Sequence, residues 1–237
     1  LSVVEIRAII TALGAGIDED QLVAAGLMKR PDDGRDPFDY FRRRIMFPIT
    51  DKRGRTIAFG GRILGEGEPK YLNSPDTPLF NKGRVLYGLA QAAPTAHKSG
   101  EVVVAEGYMD VIALNRAGFE AAVAPLGTAL TEDQIPLLWR LAPEPVVCFD
   151  GDAAGARAQA RAAERVLPLL KPGFSLRFAI LPQGEDPDSL IEGQGRDALA
   201  RTLAAAMPLS DALWLLESGG RNIKTPEERA ALDDRLK

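Results

Sequence analysis

The stretch Pro145-Val-Val-Cys-Phe-Asp-Gly-Asp152 joins a short run of β-branched and aromatic residues to two aspartates one residue apart. Such a run, bounded by turn residues, is typical of a buried strand. Two further runs of this kind, at 101–105 and 174–181, are also followed by carboxylates. Because the carboxyl ends of parallel strands meet at one edge of a sheet, we expect these acidic groups to share a crevice.

Helical stretches alternate with strand-like runs from Gly100 onward, and this alternation favours a mostly parallel sheet flanked by helices. The fold class that we predict is therefore α/β, with an α+β character overall because the preceding residues follow another pattern. The strands are expected at 101–105, 120–124, 145–149 and 174–181, and the helices between them at 108–117, 131–141 and 153–170.

The first part of the chain predicts a basic mixed α/β subdomain. Helical periodicity covers 2–13 and 18–27, and apolar runs at 45–49 and 56–62 flank a turn, as expected for a hairpin. A proline-rich connection at 69–78 follows. Short helices are expected after the sheet, and Thr225-Pro-Glu-Glu228 has the pattern of a capping box. We predict domains at 1–86 (basic subdomain), 87–205 (catalytic sheet) and 206–237 (start of a helical subdomain).

Several carboxylates in one crevice must be neutralised. Two unit charges about 4 Å apart repel by roughly 4 kcal/mol at an effective dielectric near 20. Neither Asp150-Gly-Asp152 nor Glu185-Asp-Pro-Asp188 has a Lys or Arg beside it in sequence, so raised pKa values or bound cations are required. Oxygen ligands without His or Cys favour Mg²⁺ or Mn²⁺. We expect no zinc in this chain.

Composition excludes several classes of protein. The 237 residues are 46% hydrophobic and 26% charged, which is typical of a globular protein and not of a disordered one. The only cysteine, Cys148, lies in an expected strand, which indicates a reducing, cytoplasmic setting. No apolar run is long enough to span a membrane. The net charge is −4, yet residues 29–100 carry fourteen Lys/Arg against eight Asp/Glu. This basic segment beside an acidic one suits a phosphate-binding surface next to a metal pocket.

The acidic motifs Glu106-Gly-Tyr-Met-Asp110, Asp150-Gly-Asp152 and Glu185-Asp-Pro-Asp188 resemble, in order and spacing, the signature of a TOPRIM domain. Upstream, three segments resemble the basic motif of bacterial replicative primases of the DnaG type: Phe59-Gly-Gly-Arg-Ile-Leu-Gly65, Pro69-Lys-Tyr-Leu-Asn-Ser-Pro75 and Phe80-Asn-Lys-Gly-Arg84. The resemblance extends from about Phe38 to Ile191. It implies DNA-directed synthesis of short RNA primers by metal-assisted nucleotidyl transfer during replication.

The resemblance also implies residue roles. Glu106, Asp150 and Asp152 would be catalytic, and Glu106 would take part in acid-base or metal chemistry. The implied metal ligands are Glu106, Asp110, Asp150, Asp152, Asp186 and Asp188. The implied contacts to template or nucleotide phosphates are Arg62, Lys70, Asn73 and Lys82.

The partners implied are a single-stranded DNA template, ribonucleoside triphosphates and the replicative helicase, which would bind through a region absent from this chain. No membrane partner is expected, and the location implied is the cytoplasm, with the replication machinery at the nucleoid. The chain starts at Leu1 and has neither the cysteines of a zinc-binding module nor a helicase-binding region. We therefore expect a fragment of the catalytic core.

Alternatives remain open from the sequence. The strand followed by Asp150-Gly-Asp152 also resembles the nucleophile motif of haloacid-dehalogenase phosphohydrolases, which would leave Glu106 and the basic loop unexplained. A topoisomerase or nuclease could share the acidic set, and a truncated chain could bind single-stranded DNA without activity. Asp152 could also serve as a helix N-cap, and Arg42-Arg-Arg44 is expected to be a solvated face.

Overall fold

The computed structural model describes residues 16–127, 129–218 and 225–236 of the chain. The helix expected at 2–13 lies outside these residues. The described part contains a five-stranded sheet, a three-stranded sheet and a two-stranded ribbon. The mixed α/β class with a mostly parallel sheet is confirmed.

The five-stranded sheet comes from residues 103–208. Its strands are β6 (Val103–Val104), β7 (Ala122–Val123), β8 (Val146–Phe149), β9 (Arg177–Ile180) and β10 (Met207–Pro208). Their order is β10-β9-β8-β6-β7, with β6, β7, β8 and β9 parallel and β10 antiparallel at one edge. Strand β8 is fully buried, as expected for a strand covered on both faces.

Helices cover both faces of this sheet. They are α2 (Leu89–Ser99), α3 (Tyr108–Arg116), α4 (Ile135–Trp139), α5 (Ala153–Val166), α6 (Pro187–Gln194), α7 (Arg196–Ala204) and α8 (Leu209–Ser218). The largest buried cluster lies between the sheet and one helical layer, with Phe149, Phe178 and Leu138 inside it. A second cluster on the opposite face includes Cys148, Leu114 and Leu190. No described helix is long and apolar enough to cross a membrane.

Two expected elements are shorter than the sequence predicts. The helix expected at 131–141 is helical only as α4, because Pro136 has no amide hydrogen and fits only the first helical turn. The strand expected at 174–181 pairs only as β9, since Phe174 closes a turn by donating to the carbonyl of Lys171 at 3.0 Å. Residues 153–170 form α5 followed by a 3₁₀ turn, Leu167–Leu169.

The first half of the chain forms the antiparallel sheet. A short helix, α1 (Glu19–Ala24), precedes the ribbon of β1 (Met28–Lys29) and β2 (Phe38–Asp39). The expected hairpin is present as β3 (Arg44–Thr50) and β4 (Thr56–Ile63). A third strand, β5 (Tyr71–Asn73), pairs with β4 inside the proline-rich connection, for which the sequence predicts no strand.

Arg44 also differs from expectation. Its guanidinium donates to the carbonyls of Gly61, Pro69 and Lys70 at 3.2, 2.8 and 3.3 Å, so it braces the three-stranded sheet and does not belong to a solvated face. At the other end of the chain, the capping box at Thr225 is present, because Thr225 and Glu228 exchange side-chain to backbone hydrogen bonds at the start of α9 (Pro226–Leu236). The domain boundaries at 86/87 and 205/206 stay a prediction.

Candidate active site

The ends of β6 and β8 bring two of the acidic motifs into direct contact. These strands are parallel neighbours, with Val103 opposite Val146. Glu106 and Asp150 follow them at the same edge, and the amide of Asp150 donates to Oε1 of Glu106 at 3.3 Å. The meeting of residues 44 positions apart is the arrangement expected from the strand ends of a parallel sheet.

A cleft of about 460 Å³ opens at this edge, and we call it the carboxylate cleft. One part of its lining is acidic, and it is formed by Glu106, Asp110, Asp150, Asp186 and Asp188. The facing part comes from the three-stranded sheet and consists of Arg62, Lys70, Tyr71 and Asn73. Eight of the ten site residues named from the sequence therefore line a single cleft.

Asp152 and Lys82 are the two that do not line it. Asp152 is exposed and caps α5, where its Oδ1 accepts from the amides of Ala154 and Gly155, both at 2.7 Å. Lys82 is exposed in the loop after β5, and its backbone amide donates to Oδ1 of Asp76. Their roles in metal and phosphate binding stay predictions.

Helix starts hold several of the carboxylates in place. Asp186 is the N-cap of α6, and its Oδ1 accepts from the amide of Ser189 at 2.7 Å. Asp110, in the first turn of α3, accepts from the amide of Gly107 at 3.0 Å. The positive ends of helix dipoles stabilise nearby negative charge. The helices α3, α5 and α6 thus offset part of the repulsion at this edge.

The remaining repulsion appears in the pKa values. The pKa of Asp150 is raised to about 7, first by burial and then by the charges of Glu106, Asp110 and Asp186. Burial likewise raises the pKa of Asp110 to about 6. The pKa of Glu106 is raised for the same first reason. A cation placed among these groups would remove the cause of the charge-dependent part of each shift.

The donor set fits a hard divalent cation. All the acidic lining residues offer carboxylate oxygens, and Oδ1 of Asp150 is buried without a hydrogen-bond partner. None of the ion pairs among the described residues involves these five carboxylates. In the described residues no three His, Cys, Asp or Glu side chains converge closely enough to form a finished metal site.

Two glycines allow the Asp150-Gly-Asp152 turn to pack tightly. A Cβ on Gly151 would lie 2.0 Å from the carbonyl oxygen of Pro182, and one on Gly155 would lie 2.0 Å from that of Asp150. The amide of Gly151 also donates to the carbonyl of Glu185 at 2.7 Å. The group that approaches Gly155 is the backbone of Asp150.

Tyr108 is a cleft residue that our sequence analysis did not single out. Its ring lies beneath the three-stranded sheet, with centroids 4.7 Å from Phe47, 5.5 Å from Tyr71 and 5.6 Å from Tyr87. Gly60 leaves the room for it, since a Cβ there would lie 2.9 Å from Cε1 of Tyr108. Burial raises the pKa of Tyr108 to about 12. The available signal was its position two residues after Glu106, at the first turn of α3.

Asn73 also lies beside Gly60, where a Cβ would be 3.2 Å from its Oδ1. Its Oδ1 and the hydroxyl of Tyr108 are both buried without hydrogen-bond partners. Buried polar groups normally have a partner, so unsatisfied ones next to a cleft indicate a place for ligand or water. Tyr71 adds an aromatic face, with Arg62 and Lys70 each 5.8 Å from its centroid.

The chain is similar to known DNA primases in sequence. The family profile of the DNA primase catalytic core, N-terminal domain, matches residues 6–93, and that of the Toprim domain matches residues 100–179. The DNA primase of Pseudomonas aeruginosa is 51% identical over 199 residues, which cover 84% of this chain and 30% of that protein. The DNA primase of Escherichia coli K12 is 47% identical over 215 residues, covering 91% and 37%.

Solved structures give the same result. A crystal structure of a DNA primase domain from Pseudomonas aeruginosa superimposes with a TM-score of 0.86 at 48% identity, covering 92% of this chain and 69% of that one. The DnaG primase catalytic domain bound to ssDNA gives a TM-score of 0.83 at 46% identity, covering 95% and 73%.

The fold and the cleft together define a Toprim-containing DNA primase catalytic core. The chain belongs to the DnaG-type primase family. Primases with this domain depend on a divalent metal. The chain spans 30% to 37% of the length of the curated relatives it matches.

Proposed function

We propose that this chain carries the catalytic region of an enzyme that makes short RNA primers on single-stranded DNA during replication. The observation that carries the proposal is the carboxylate cleft, in which acidic side chains face Arg62, Lys70 and Asn73. Nucleotidyl transfer joins a 3′-hydroxyl to the α-phosphate of a nucleoside triphosphate. A cleft with this charge distribution suits that reaction, because it can hold cations at one wall and phosphates at the other.

Mg²⁺ or Mn²⁺ is the cation that we propose, because all candidate ligands are carboxylates. Bound metal would stabilise the attacking and leaving oxygens of the transfer. Glu106 and Asp150 would hold the cation at the strand ends, where the free Oδ1 of Asp150 is available. Asp110, Asp186 and Asp188 would complete the ligand set. Asp152 would also join the ligand set, with its Oδ1 accepting from the amides of Ala154 and Gly155 at the start of α5.

Arg62 and Lys70 would bind the phosphates of nucleotide or template, and Lys82 would bind template phosphates outside the cleft. Asn73 would supply a hydrogen bond through its unpaired Oδ1 or its amide NH₂. A related catalytic domain has been solved with single-stranded DNA, which supports this template. We further propose ribonucleoside triphosphates as substrates, the replicative helicase as a partner through a region outside this chain, and a cytoplasmic location with the replication machinery at the nucleoid.

One assay tests the proposal. The chain is incubated with single-stranded template, four labelled ribonucleoside triphosphates and Mg²⁺ or Mn²⁺, and the products are separated on a denaturing gel. Labelled RNA that requires both template and metal is the expected result. Release of phosphate from a small phosphate ester without RNA would favour the phosphohydrolase interpretation instead, which the primase family matches at 6–93 and 100–179 argue against.

A second candidate function is single-stranded DNA binding without synthesis. It is favoured by coverage, since the chain spans 73% of the solved catalytic domain that was bound to ssDNA. Template binding with no RNA product at any metal concentration would select it. A turnover assay on a longer primase that contains this segment would then show whether the missing portion restores synthesis.

A further inference from the structure

Gln134 is a fully buried polar residue outside the carboxylate cleft. It stands immediately before α4, and its side chain is 0% exposed. Its Nε2 donates to the carbonyl of Lys82 at 3.1 Å and to that of Val85 at 2.8 Å. Its Oε1 accepts from the amide of Thr131 at 3.0 Å. Each polar atom of this amide therefore has a partner, as a buried amide requires.

Two neighbours of Gln134 hold the same segment. The hydroxyl of Thr131 donates to the carbonyl of Gly83 at 2.6 Å, and Asp133 forms an ion pair with Arg84 at 3.0 Å. Residues 82–85, which we call the lysine loop, thus contact the turn at 131–134 at every position. The contacts join segments about fifty residues apart in sequence.

Helix capping explains only part of this arrangement. The exchange between Oε1 of Gln134 and the amide of Thr131, with the amide of Gln134 donating to the hydroxyl of Thr131, is a local cap of the turn into α4. A cap needs no contact with a distant loop. The two Nε2 bonds and the Thr131 bond to Gly83 are additional, and all three end on carbonyls of the lysine loop.

The lysine loop is supported locally by Asn81, which accepts from the amides of Gly83 and Arg84 at 3.0 and 2.9 Å. It belongs to neither a helix nor a strand, so its carbonyls have no ladder partners. The amide of Lys82 donates to Asp76 at 3.2 Å while its carbonyl accepts from Gln134, which fixes the backbone on both sides of an exposed side chain. An ordered backbone lowers the entropy that the loop would lose when its cation binds a ligand.

We propose that Gln134 is a positioning residue for Lys82, holding this cation where it binds a phosphate of the single-stranded template. The inference rests on the proposed function, since it assumes that Lys82 contacts template. Gln134 itself touches no ligand. Its amide replaces the missing backbone ladder of the lysine loop, and Thr131 supports the same loop at Gly83.

A double-mutant cycle tests the inference. The variants are Lys82→Ala, Gln134→Met and the combination, and Met retains most of the Gln volume without its hydrogen bonds. The measurement is the affinity of a fluorescently labelled single-stranded oligothymidylate as a function of salt. Each phosphate contact to a single strand contributes about 0.7 to the slope of log affinity against log salt. We expect both single variants to make the slope shallower by up to about 0.7, and the double variant to match Lys82→Ala alone.

The control is Gln159→Met on α5, whose Nε2 donates to the carbonyl of Ala179 at 3.4 Å, far from the lysine loop in sequence. Its slope should equal that of the parent chain. A milder variant, Thr131→Val, removes only the two hydrogen bonds of the hydroxyl, to the carbonyl of Gly83 and from the amide of Gln134. It replaces Gln134→Met if that protein fails to melt cooperatively. Gln134→Met and Thr131→Val should each weaken binding only in a chain that keeps Lys82.

The outcomes separate the two proposals. An unchanged slope for Lys82→Ala means that Lys82 contacts no template phosphate, so the proposed function loses this contact and the inference falls with it. Suppose that Lys82→Ala makes the slope shallower while Gln134→Met and Thr131→Val keep the parental slope. That result overturns the positioning role of Gln134 and leaves the proposed function standing. Fully additive losses of affinity in the double variant also overturn the positioning role, because Gln134 would then affect binding independently of Lys82.

Discussion

The parallel sheet and the three-stranded antiparallel sheet deliver opposite charges to one cleft by different means. In the parallel sheet, Glu106 and Asp150 stand directly after buried strands, and the strand order places them together. In the antiparallel sheet, Arg62 lies on β4, and Lys70 and Asn73 lie at or beside the edge strand β5. We call the carboxylate side of the cleft the acidic wall and the side with Arg62, Lys70 and Asn73 the basic wall. Strand topology fixes the acidic wall. The basic wall depends on how a separate sheet packs over Tyr108.

Tyr108 lies in the small hydrophobic cluster where the two sheets meet. A small cluster of Ile49, Ala58, Phe80, Tyr108 and Leu126 joins the two sheets, and its residues come from both halves of the chain. Moving the antiparallel sheet would shift the cations relative to the carboxylates without disturbing the strand ends. Variants in the acidic wall should therefore abolish chemistry, while those in the basic wall should weaken binding.

The largest expected effect is the loss of catalysis in Asp150→Asn and Glu106→Gln. Each change removes a charge that would hold metal at the reacting phosphate, so RNA synthesis should fall by at least about 10²- to 10³-fold. The thermal unfolding curve should remain cooperative. Asp197→Asn is the matched control, because Asp197 is an exposed carboxylate paired only with Arg196 at 3.9 Å. Parental rates for both cleft variants would remove the carboxylates from the mechanism.

A smaller but still large effect is expected from Gly155→Ala, which tests whether the acidic wall is fixed by backbone packing. The new Cβ would lie 2.0 Å from the carbonyl of Asp150. Overpacking of this kind destabilises by roughly 1–3 kcal/mol or more. Gly193, in α6, faces open space, so Gly193→Ala should be neutral or stabilising by up to about 1 kcal/mol. Equal unfolding free energies for the two variants would contradict the tight turn.

Divalent metal should stabilise the folded chain by a comparable amount. A ligand at 100 times its dissociation constant adds about 2.7 kcal/mol when the unfolded chain does not bind it. The measurement is the melting temperature in chelator against millimolar Mg²⁺ or Mn²⁺. Asp150→Asn should reduce the shift and Lys70→Ala should not. A melting temperature that stays constant would count against a metal site of millimolar affinity or better.

The lysines that we expect to bind template phosphates, Lys70 in the cleft and Lys82 outside it, should affect the salt dependence of DNA binding. Replacing Lys70 and Lys82 together by Ala should make the slope of log affinity for single-stranded DNA against log salt shallower by about 1.4, if both touch template phosphates. Templates of different sequence should show the same change, since phosphate contacts carry no sequence information. Lys98→Ala, within the basic segment but in the last turn of α2, is the control. A parental slope in the double variant would make both lysines part of a solvated face.

The smallest expected effect concerns pH and the metal-free chain. Asp150 and Asp110 have pKa values raised to about 7 and about 6, above the ordinary value of 3.8. The folded state therefore binds more protons than the unfolded state between roughly pH 4 and 7, so these groups make the unfolding free energy fall as pH rises through that window. Asp150→Asn should show a weaker decline than the parent chain in chelator. Identical pH profiles would mean that Asp150 titrates normally.

The sequence predicted that carboxylates would meet at one sheet edge, and five of the six line the cleft there, because this signal is local; their roles stay a prediction. A buried run followed at once by a carboxylate can be read without knowing any distant contact, and parallel strand ends then bring the carboxylates together. Asp152 shows the limit of this reasoning. Its place after β8 was correctly expected, yet whether it points into the cleft or caps α5 depends on side-chain geometry that a sequence does not specify.

By itself, the sequence determined the α/β class, the edge at which the carboxylates gather, and the family resemblance. Only the tertiary structure decided that Lys82 lies outside the cleft, that Tyr108 joins its lining, and that Gln134 reaches the lysine loop. The physical reason is the distance along the chain over which each effect acts. Strand periodicity is a local pattern that repeats every two residues. Burial, pKa shifts and the hydrogen bonds of Gln134 arise between segments some fifty residues apart, which meet only in the folded chain.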